Sequence, residues 1–174
     1  SLTAQQAEVN VARTAIEALA GVLGGTQSLH TNSMDEALAL PTEKAARIAV
    51  RTQQVIAHET VVTAVADPLG GYWFVEALTD EIEARAEEMF AHLDALGGGS
   101  ILEGVYAGVE DGWFQSEIAE AAYTFERQLG AGRRIVVGVN AFPEGNDEDP
   151  PEILRITAEQ EQAQDRCNHA VPPL

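Results

Sequence analysis

The residues best suited to chemistry lie in one short stretch, residues 24–36, which we call the polar segment. It begins with a glycine pair and stands between apolar stretches. The amide, imidazole and carboxylate groups of Gln27, His30, Asn32 and Glu36 can hold a polar ligand through hydrogen bonds. Burying such groups without partners costs about 1 to 3 kcal/mol each, so their clustering favours a bound ligand that satisfies them. His30 can also transfer a proton near neutral pH, although a structural hydrogen bond is its more ordinary use.

A purely structural interpretation of the polar segment competes with a ligand site. Asn32 or Ser33 could cap a following helix, because their side-chain oxygens accept hydrogen bonds from the unpaired N–H groups of a first helical turn. Composition alone does not choose between the two interpretations.

Two helices are predicted to flank the polar segment, over residues 5–21 and from Thr42 to about residue 59. Between them the sequence favours a short strand over 26–31 and a short helix over 34–40. Apolar side chains at spacings of three and four predict the buried faces. For the first helix these are Val9, Ala12, Ile16, Leu19 and Leu23, and for the second Ala45, Ile48, Ala49, Thr52, Val55 and Ile56.

The rest of the chain is predicted to be mainly helical. After a loop over 61–73, the apolar pattern predicts a long helix ending at Gly97, a shorter helix over 100–107 and another closed by Gly130. The run 134–139 is the clearest predicted strand. An acidic loop over 143–151 lacks the spacing of a calcium site, so we expect no metal. The sequence predicts a polar helix over 157–168 and an unstructured end at Pro172 and Pro173.

Composition narrows the function classes. Ten Lys and Arg against twenty-eight Asp and Glu give a formal charge of -18, which repels nucleic acid and anionic lipid. No apolar run approaches the roughly 20 residues that cross a bilayer, so no membrane partner is expected.

Cys167 is the only cysteine, so no disulfide forms within the chain, and the lack of a signal peptide fits the cytoplasm. Starting at Ser1 inside a helical pattern, the sequence looks like a piece of a longer protein.

Several motifs resemble the C-terminal part of the catalytic subunit in the methylmalonyl-CoA mutase family, over roughly residues 5–142. The longest is Gly25-Thr26-Gln27-Ser28-Leu29-His30-Thr31-Asn32-Ser33, followed by Asp35-Glu36-Ala37 and Leu40-Pro41-Thr42. Shorter ones are Ala46-Arg47-Ile48-Ala49, Arg51-Thr52-Gln53, Asp67-Pro68-Leu69-Gly70-Gly71, Glu76-Ala77-Leu78-Thr79 and Val137-Gly138-Val139-Asn140. The members of this family are adenosylcobalamin-dependent acyl-CoA mutases, which are intramolecular transferases.

The resemblance implies roles for three residues. Gln27 would contact the acyl-CoA near its thioester, while Asn32 and Glu36 would hold the ribose hydroxyls of the cofactor's adenosyl group. Apart from the resemblance, the imidazole of His30 can donate a hydrogen bond to a carbonyl, which makes His30 a candidate substrate contact. The implied reaction is a radical 1,2-rearrangement of a short branched acyl-CoA, of the methylmalonyl-CoA/succinyl-CoA or isobutyryl-CoA type. The cobalamin signature Asp-x-His-x-x-Gly is missing, so the lower cobalt ligand is not in this chain. The implied partners are a cobalamin-binding domain or small subunit in a hetero- or homo-oligomer, with any basic clamp for the CoA phosphates elsewhere.

The fold class implied by the resemblance is α/β: the C-terminal portion of a TIM (β/α)₈ barrel, followed by a mainly helical extension with one clear β-strand. Residues 1–60 would supply the last barrel helix and strand with the following helix, 61–142 the helical extension, and 143–174 an acidic linker and tail. Such a fragment is expected to be inactive alone. The alternative is a non-enzymatic helical interaction or assembly module.

Overall fold

The computed structural model describes residues 2–146 and 151–170, and its regular structure is helical. The helices are α1 (Val9–Leu23), α2 (Glu43–Glu59), α3 (Trp73–Leu96), α4 (Ile101–Glu110), α5 (Trp113–Gly130) and α6 (Ala158–Ala170), with a 3₁₀ turn at Val62–Ala64. They belong to two compact units, Ser1–Ala66 with Glu144–Leu174 and, separately, Asp67–Pro143. We call these the first unit and the second unit. The division into 1–60, 61–142 and 143–174 stays a prediction.

The first unit is built on α1 and α2, which pack against each other. The Thr42 side chain accepts a hydrogen bond from the Ala45 backbone N–H at 3.2 Å, which confirms that it caps α2. On the inner face of α2, Ala45, Ala49 and Ile56 are buried as predicted, while Val55 is 46% exposed. Small residues on this face let the polar segment lie close to the helix.

The buried face of α1 differs from the predicted one. Asn10, Thr14 and Ala18 are buried, whereas Ile16, in the predicted stripe, is 70% exposed. The neighbour of this face is the backbone of the polar segment, whose carbonyl groups need hydrogen-bond donors. Polar side chains supply those donors and apolar ones do not, so the polar stripe lies inward.

The second unit contains α3, α4 and α5, with α4 in contact with both of the others. Gly104 of α4 lies against the backbone of α3, so close that a Cβ there would be 1.8 Å from the Leu93 carbonyl oxygen. Leu93 is itself buried. Glycine is therefore required at this helix crossing because any side chain would push the helices apart.

The predicted α/β fold class is wrong for the part of the chain described here. Residues 2–146 and 151–170 contain no strand, sheet or barrel segment, and pairing is limited to one isolated bridge between Val137 and Ala141. The predicted strand over 26–31 is a loop, and the predicted helix over 34–40 is a series of turns. A β-forming run becomes a strand only when a neighbouring strand pairs with its backbone hydrogen-bonding groups, and the described residues contain no such strand.

The run 134–139 illustrates this correction. Instead of a strand it forms a turn around the Asn140 side chain, whose Oδ1 accepts from the Val136 N–H at 2.7 Å. The Asn140 Nδ2 group donates to the carbonyls of Arg134 at 2.7 Å and Leu129 at 3.1 Å. One amide side chain thus satisfies backbone groups that a partner strand would otherwise pair.

The other helices follow the predicted pattern: α3, α4, α5 and α6 correspond to the four helices expected after residue 73. Residues 147–150 of the acidic loop predicted over 143–151 lie outside the described residues, as do Pro172 and Pro173. None of the helices in the described ranges combines the length and apolar character needed to span a bilayer.

Candidate functional site

The polar segment begins where α1 is forced to end. Gly25 adopts a φ of 79°, in the left-handed region that favours glycine. Its N–H donates to the Val22 carbonyl at 3.1 Å, and the Thr26 N–H donates to the Gly21 carbonyl at 3.2 Å. These are the two hydrogen bonds of a Schellman helix end, which turns the chain out of α1 and starts the polar segment.

Asn10 fixes one side of the polar segment to α1. The Asn10 side chain is completely buried, and its Nδ2 group donates to the carbonyls of Met34 and Thr3, each at 2.8 Å. Its Oδ1 accepts from the Thr3 N–H at 3.1 Å and from the Arg13 guanidinium at 2.8 Å. Every hydrogen-bonding position of this buried amide is therefore used, which makes it a rigid anchor.

Residues of α2 hold the other side. The Thr31 hydroxyl donates to the Ala49 carbonyl at 2.8 Å and accepts from Gln53 Nε2 at 3.0 Å. Asp35, only 1% exposed, accepts through Oδ2 from both the N–H and the hydroxyl of Thr42, each at 2.9 Å. The polar segment is thus bound to both helices, so its backbone is fixed independently of any ligand.

Within this frame Asn32, Ser33 and Glu36 form one hydrogen-bonded cluster. Asn32 Nδ2 donates to Glu36 Oε2 at 2.6 Å, and the Ser33 N–H donates to Glu36 Oε1 at 2.7 Å. A glutamate that accepts from the N–H three residues earlier makes one half of a capping box. The turn, and not the predicted helix, therefore brings Asn32 and Glu36 together.

The environment lowers the pKa of Glu36 below its ordinary value of 4.5. The largest cause is the hydrogen bond from the Ser33 N–H, which favours the charged carboxylate. The Asn32 amide and the charge of His30 act in the same direction, while partial burial and the neighbouring Asp35 oppose them. Glu36 is consequently an ionised acceptor at neutral pH.

The other two predicted site residues are less tightly placed. Gln27 and His30 are both exposed, and neither side chain makes a hydrogen bond within the part of the chain that is described. His30 is near enough for its charge to lower the pKa of Glu36, whereas Gln27 has no effect on the pKa of that carboxylate. The structure thus brings together Asn32 and Glu36, with His30 beside them, and leaves Gln27 on the surface.

Sequence reasoning missed the residues that hold this arrangement in place. Asn10, Thr31, Asp35 and Gln53 were not recognised because each bonds to a residue distant in sequence or to a backbone carbonyl. A spacing signal did exist for one of them, since Asn10, Thr14 and Ala18 recur every four residues along α1. The stronger apolar periodicity beside it hid that signal.

The cluster has acceptor capacity left for a ligand. Asn32 Oδ1 has no hydrogen-bond partner within the described residues, and Glu36 can accept further bonds through either oxygen. Both side chains are half-buried and so still open to solvent. Two adjacent acceptors of this kind fit two neighbouring hydroxyl groups. A metal ion fits less well, because the described residues contain no group of three or more His, Cys, Asp or Glu ligands.

Comparison with known proteins adds evidence of a different kind. The sequence model of the family named Methylmalonyl-CoA mutase matches residues 1–170. The chain belongs to the methylmalonyl-CoA mutase family. This confirms the resemblance read from the motifs between Gly25 and Asn140.

Individual relatives cover most of the chain. It is 49% identical over 149 residues to the 2-hydroxyisobutanoyl-CoA mutase large subunit of Aquincola tertiaricarbonis, covering 86% of this chain and 25% of that protein. It is 46% identical over 156 residues to the methylmalonyl-CoA mutase of Rhizobium meliloti, covering 90% and 21% respectively. The human mitochondrial methylmalonyl-CoA mutase is 42% identical over 156 residues, covering 90% and 20%. The chain therefore spans between a fifth and a quarter of the length of these mutases.

Proposed function

We propose that this chain is part of an adenosylcobalamin-dependent acyl-CoA mutase, an intramolecular transferase, and contributes a cofactor-orienting cluster to it. The observation that carries the proposal is the Asn32–Glu36 pair, held at 2.6 Å inside a segment anchored to two helices. The family membership supports the same conclusion. As a piece spanning about a quarter of its relatives or less, the chain alone is expected to be inactive.

In this proposal Asn32 and Glu36 hold the ribose hydroxyls of the adenosyl group. One hydroxyl donates to the unpartnered Asn32 Oδ1, and the other donates to a Glu36 oxygen that is kept negative by the lowered pKa. The hydrogen bond that Asn10 donates to the Met34 carbonyl and those that Asp35 accepts from Thr42 fix the polar segment, so the two acceptors are already oriented before the ligand arrives.

The two exposed residues would face the acyl-CoA. Gln27 would donate its amide N–H to the thioester carbonyl, and His30 would make a second contact with the substrate. When bound, adenosylcobalamin supplies the radical chemistry of the 1,2-rearrangement. The residues of this chain would act by positioning, because neither an amide nor an ionised carboxylate needs to exchange a proton for this role.

The remaining parts of the proposal concern partners. The substrate is an acyl-CoA, and both methylmalonyl-CoA and 2-hydroxyisobutanoyl-CoA are consistent with the names of the relatives. A cobalamin-binding domain or small subunit would complete the enzyme as a hetero- or homo-oligomer. A cytoplasmic location is proposed from the single cysteine in the sequence.

The test is anaerobic turnover by the full subunit together with its cobalamin domain. The substrates are methylmalonyl-CoA, isobutyryl-CoA and 2-hydroxyisobutyryl-CoA, and the variants are Asn32→Ala and Glu36→Gln. Both variants should reduce kcat at least tenfold. Glu43→Gln is the matched control, because Glu43 is an exposed glutamate on the nearby helix α2 and should leave turnover unchanged.

The outcomes separate the proposal from its alternative. Equal turnover in all four proteins would remove Asn32 and Glu36 from the site while leaving the reaction assigned. An absence of turnover with any ester would instead favour the non-enzymatic helical module, in which the Glu36 carboxylate only caps a turn through the Ser33 N–H.

A further inference from the structure

A second group of polar residues, in the second unit, is not used by the proposed reaction. A recess of about 370 Å³ at the end of α5 is lined by Thr124, Arg127, Gln128 and Arg133. All four side chains carry hydrogen-bond donors, and none of them carries a negative charge. This is unusual in a chain with a formal charge of -18, in which Asp and Glu far outnumber Lys and Arg.

The two arginines line the same recess because the chain reverses direction after α5. The N–H groups of Arg133 and Arg134 both donate to the Gln128 carbonyl, at 3.0 and 3.2 Å. These bonds fold the chain back over the last turn of the helix, so Arg133 comes beside Arg127 although six positions separate them in sequence. The recess is therefore a product of the turn and is held by backbone hydrogen bonds.

Helix capping does not explain these arginines. Basic side chains near a helix C-terminus often pair with its last carbonyl groups. Here the Arg127 carbonyl accepts from the Ala131 N–H at 3.0 Å, and the Leu129 carbonyl accepts from the Gly132 N–H at 3.0 Å and from the Asn140 amide at 3.1 Å. The carbonyls of Arg127, Gln128 and Leu129 are thus satisfied without a guanidinium group.

The guanidinium groups also lack acidic partners. In the described ranges neither Arg127 nor Arg133 makes an ion pair or a side-chain hydrogen bond, whereas Arg85 of the same unit pairs with Glu81. The Arg127 guanidinium carbon instead lies 5.7 Å from the centre of the Tyr123 ring, a contact that restricts its position. Arg127 and Arg133 are both exposed to solvent.

We propose that this recess binds a phosphate group, either as the free ion or as part of a nucleotide. Two guanidinium groups can each donate two parallel hydrogen bonds to phosphate oxygens, and the Thr124 hydroxyl and Gln128 amide can donate to the remaining one. A phosphate dianion presents three acceptor oxygens and so uses this number of donors better than a carboxylate with two. Added salt screens the attraction between the guanidinium groups and the phosphate, so binding is expected to weaken as the ionic strength rises.

The experiment is a calorimetric titration of the 174-residue chain with inorganic phosphate at low ionic strength. Saturable binding is expected, at least tenfold weaker in Arg127→Gln and in Arg133→Gln. Arg85→Gln is the matched control, since it removes the same charge from the same unit and should bind as the wild type does. Far-UV circular dichroism of each variant establishes that it is folded.

A second titration with adenosine 3′,5′-bisphosphate distinguishes the sources of the phosphate. Tighter binding than inorganic phosphate, lost in the same two variants, assigns the site to a nucleotide, and equal binding assigns it to the free ion. Absence of saturable binding, or equal weakening in Arg85→Gln, overturns the proposal. A self-association of the chain that disappears in Arg127→Gln, without phosphate binding, also overturns it and would assign the arginines to a contact between two copies. Neither titration involves an acyl-CoA or cobalamin, so its result is independent of the mutase assay.

Discussion

Replacing Gly104 by alanine is expected to destabilise the second unit by about 1 to 3 kcal/mol, the range for overpacking a close contact. The added Cβ would be 1.8 Å from the Leu93 carbonyl oxygen and 2.7 Å from the carbonyl carbon, well inside the 3.0 Å that real Cβ atoms keep. The obstacle is helix backbone, which cannot rotate away as a flexible side chain would. The crossing of α3 and α4 must therefore open, which exposes the buried Leu93 side chain.

An opposing effect limits this loss. Gly104 lies inside α4, where alanine is preferred over glycine by about 1 kcal/mol. Only a crossing loose enough to admit a methyl group would let that preference dominate and make the variant more stable. The sign of the change therefore tests the helix crossing directly.

The measurement is urea unfolding followed by circular dichroism at 222 nm, with thermal unfolding as a second probe. For a unit of this size each 1 kcal/mol corresponds to about 4–8 °C in Tm. Gly130→Ala is the control, because it lies at the end of α5 with nothing within 4 Å of an added Cβ. It should be neutral or stabilising by up to about 1 kcal/mol. A Gly104→Ala protein as stable as Gly130→Ala would refute the reasoning.

Three further predictions concern the polar segment. Asn10→Ala leaves buried backbone groups without partners and should cost at least about 2 kcal/mol in urea unfolding; a loss below 0.5 kcal/mol would show that water replaces the amide. Thr42→Val removes both the cap of α2 and a donor to Asp35, and should cost about 1 to 2 kcal/mol, whereas Thr42→Ser should retain most of the stability. The lowered pKa of Glu36 means that its stabilisation is complete above the ordinary value of 4.5 and is lost as the pH falls through the lower folded value. Wild type and Glu36→Gln should therefore differ in unfolding free energy at pH 7 and converge towards pH 3; an equal gap at both pH values would contradict the assignment.

The helices show how far periodicity alone can lead. Thr42 and the apolar spacing after it located α2, because a cap and an amphipathic face are encoded within one continuous segment. The same reasoning failed for the buried face of α1, where Asn10 lies inward and Ile16 outward. Periodicity identifies that a face exists, but what covers it depends on the neighbouring segment.

Strand prediction failed for a related reason. The run 134–139 has the composition of a strand, yet its hydrogen bonds go to Asn140 and to a turn. β-Structure is a property of two segments together, whereas the composition of one run reports only its own preference. The α/β fold class implied by the family resemblance led to the same wrong expectation, because the described residues contain no strand with which this run could pair.

The sequence by itself determined the family, most of the helices and the segment in which the candidate site lies. These depend on local patterns: a long motif around Gln27 to Ser33, regular apolar spacing, and glycines at helix ends. The tertiary structure alone decided that Asn10 and Asp35 anchor the polar segment, that a turn joins Asn32 to Glu36, and that Arg133 returns beside Arg127. Hydrogen bonds between residues distant in sequence cannot be predicted from local spacing, because the two partners become neighbours only when the chain folds.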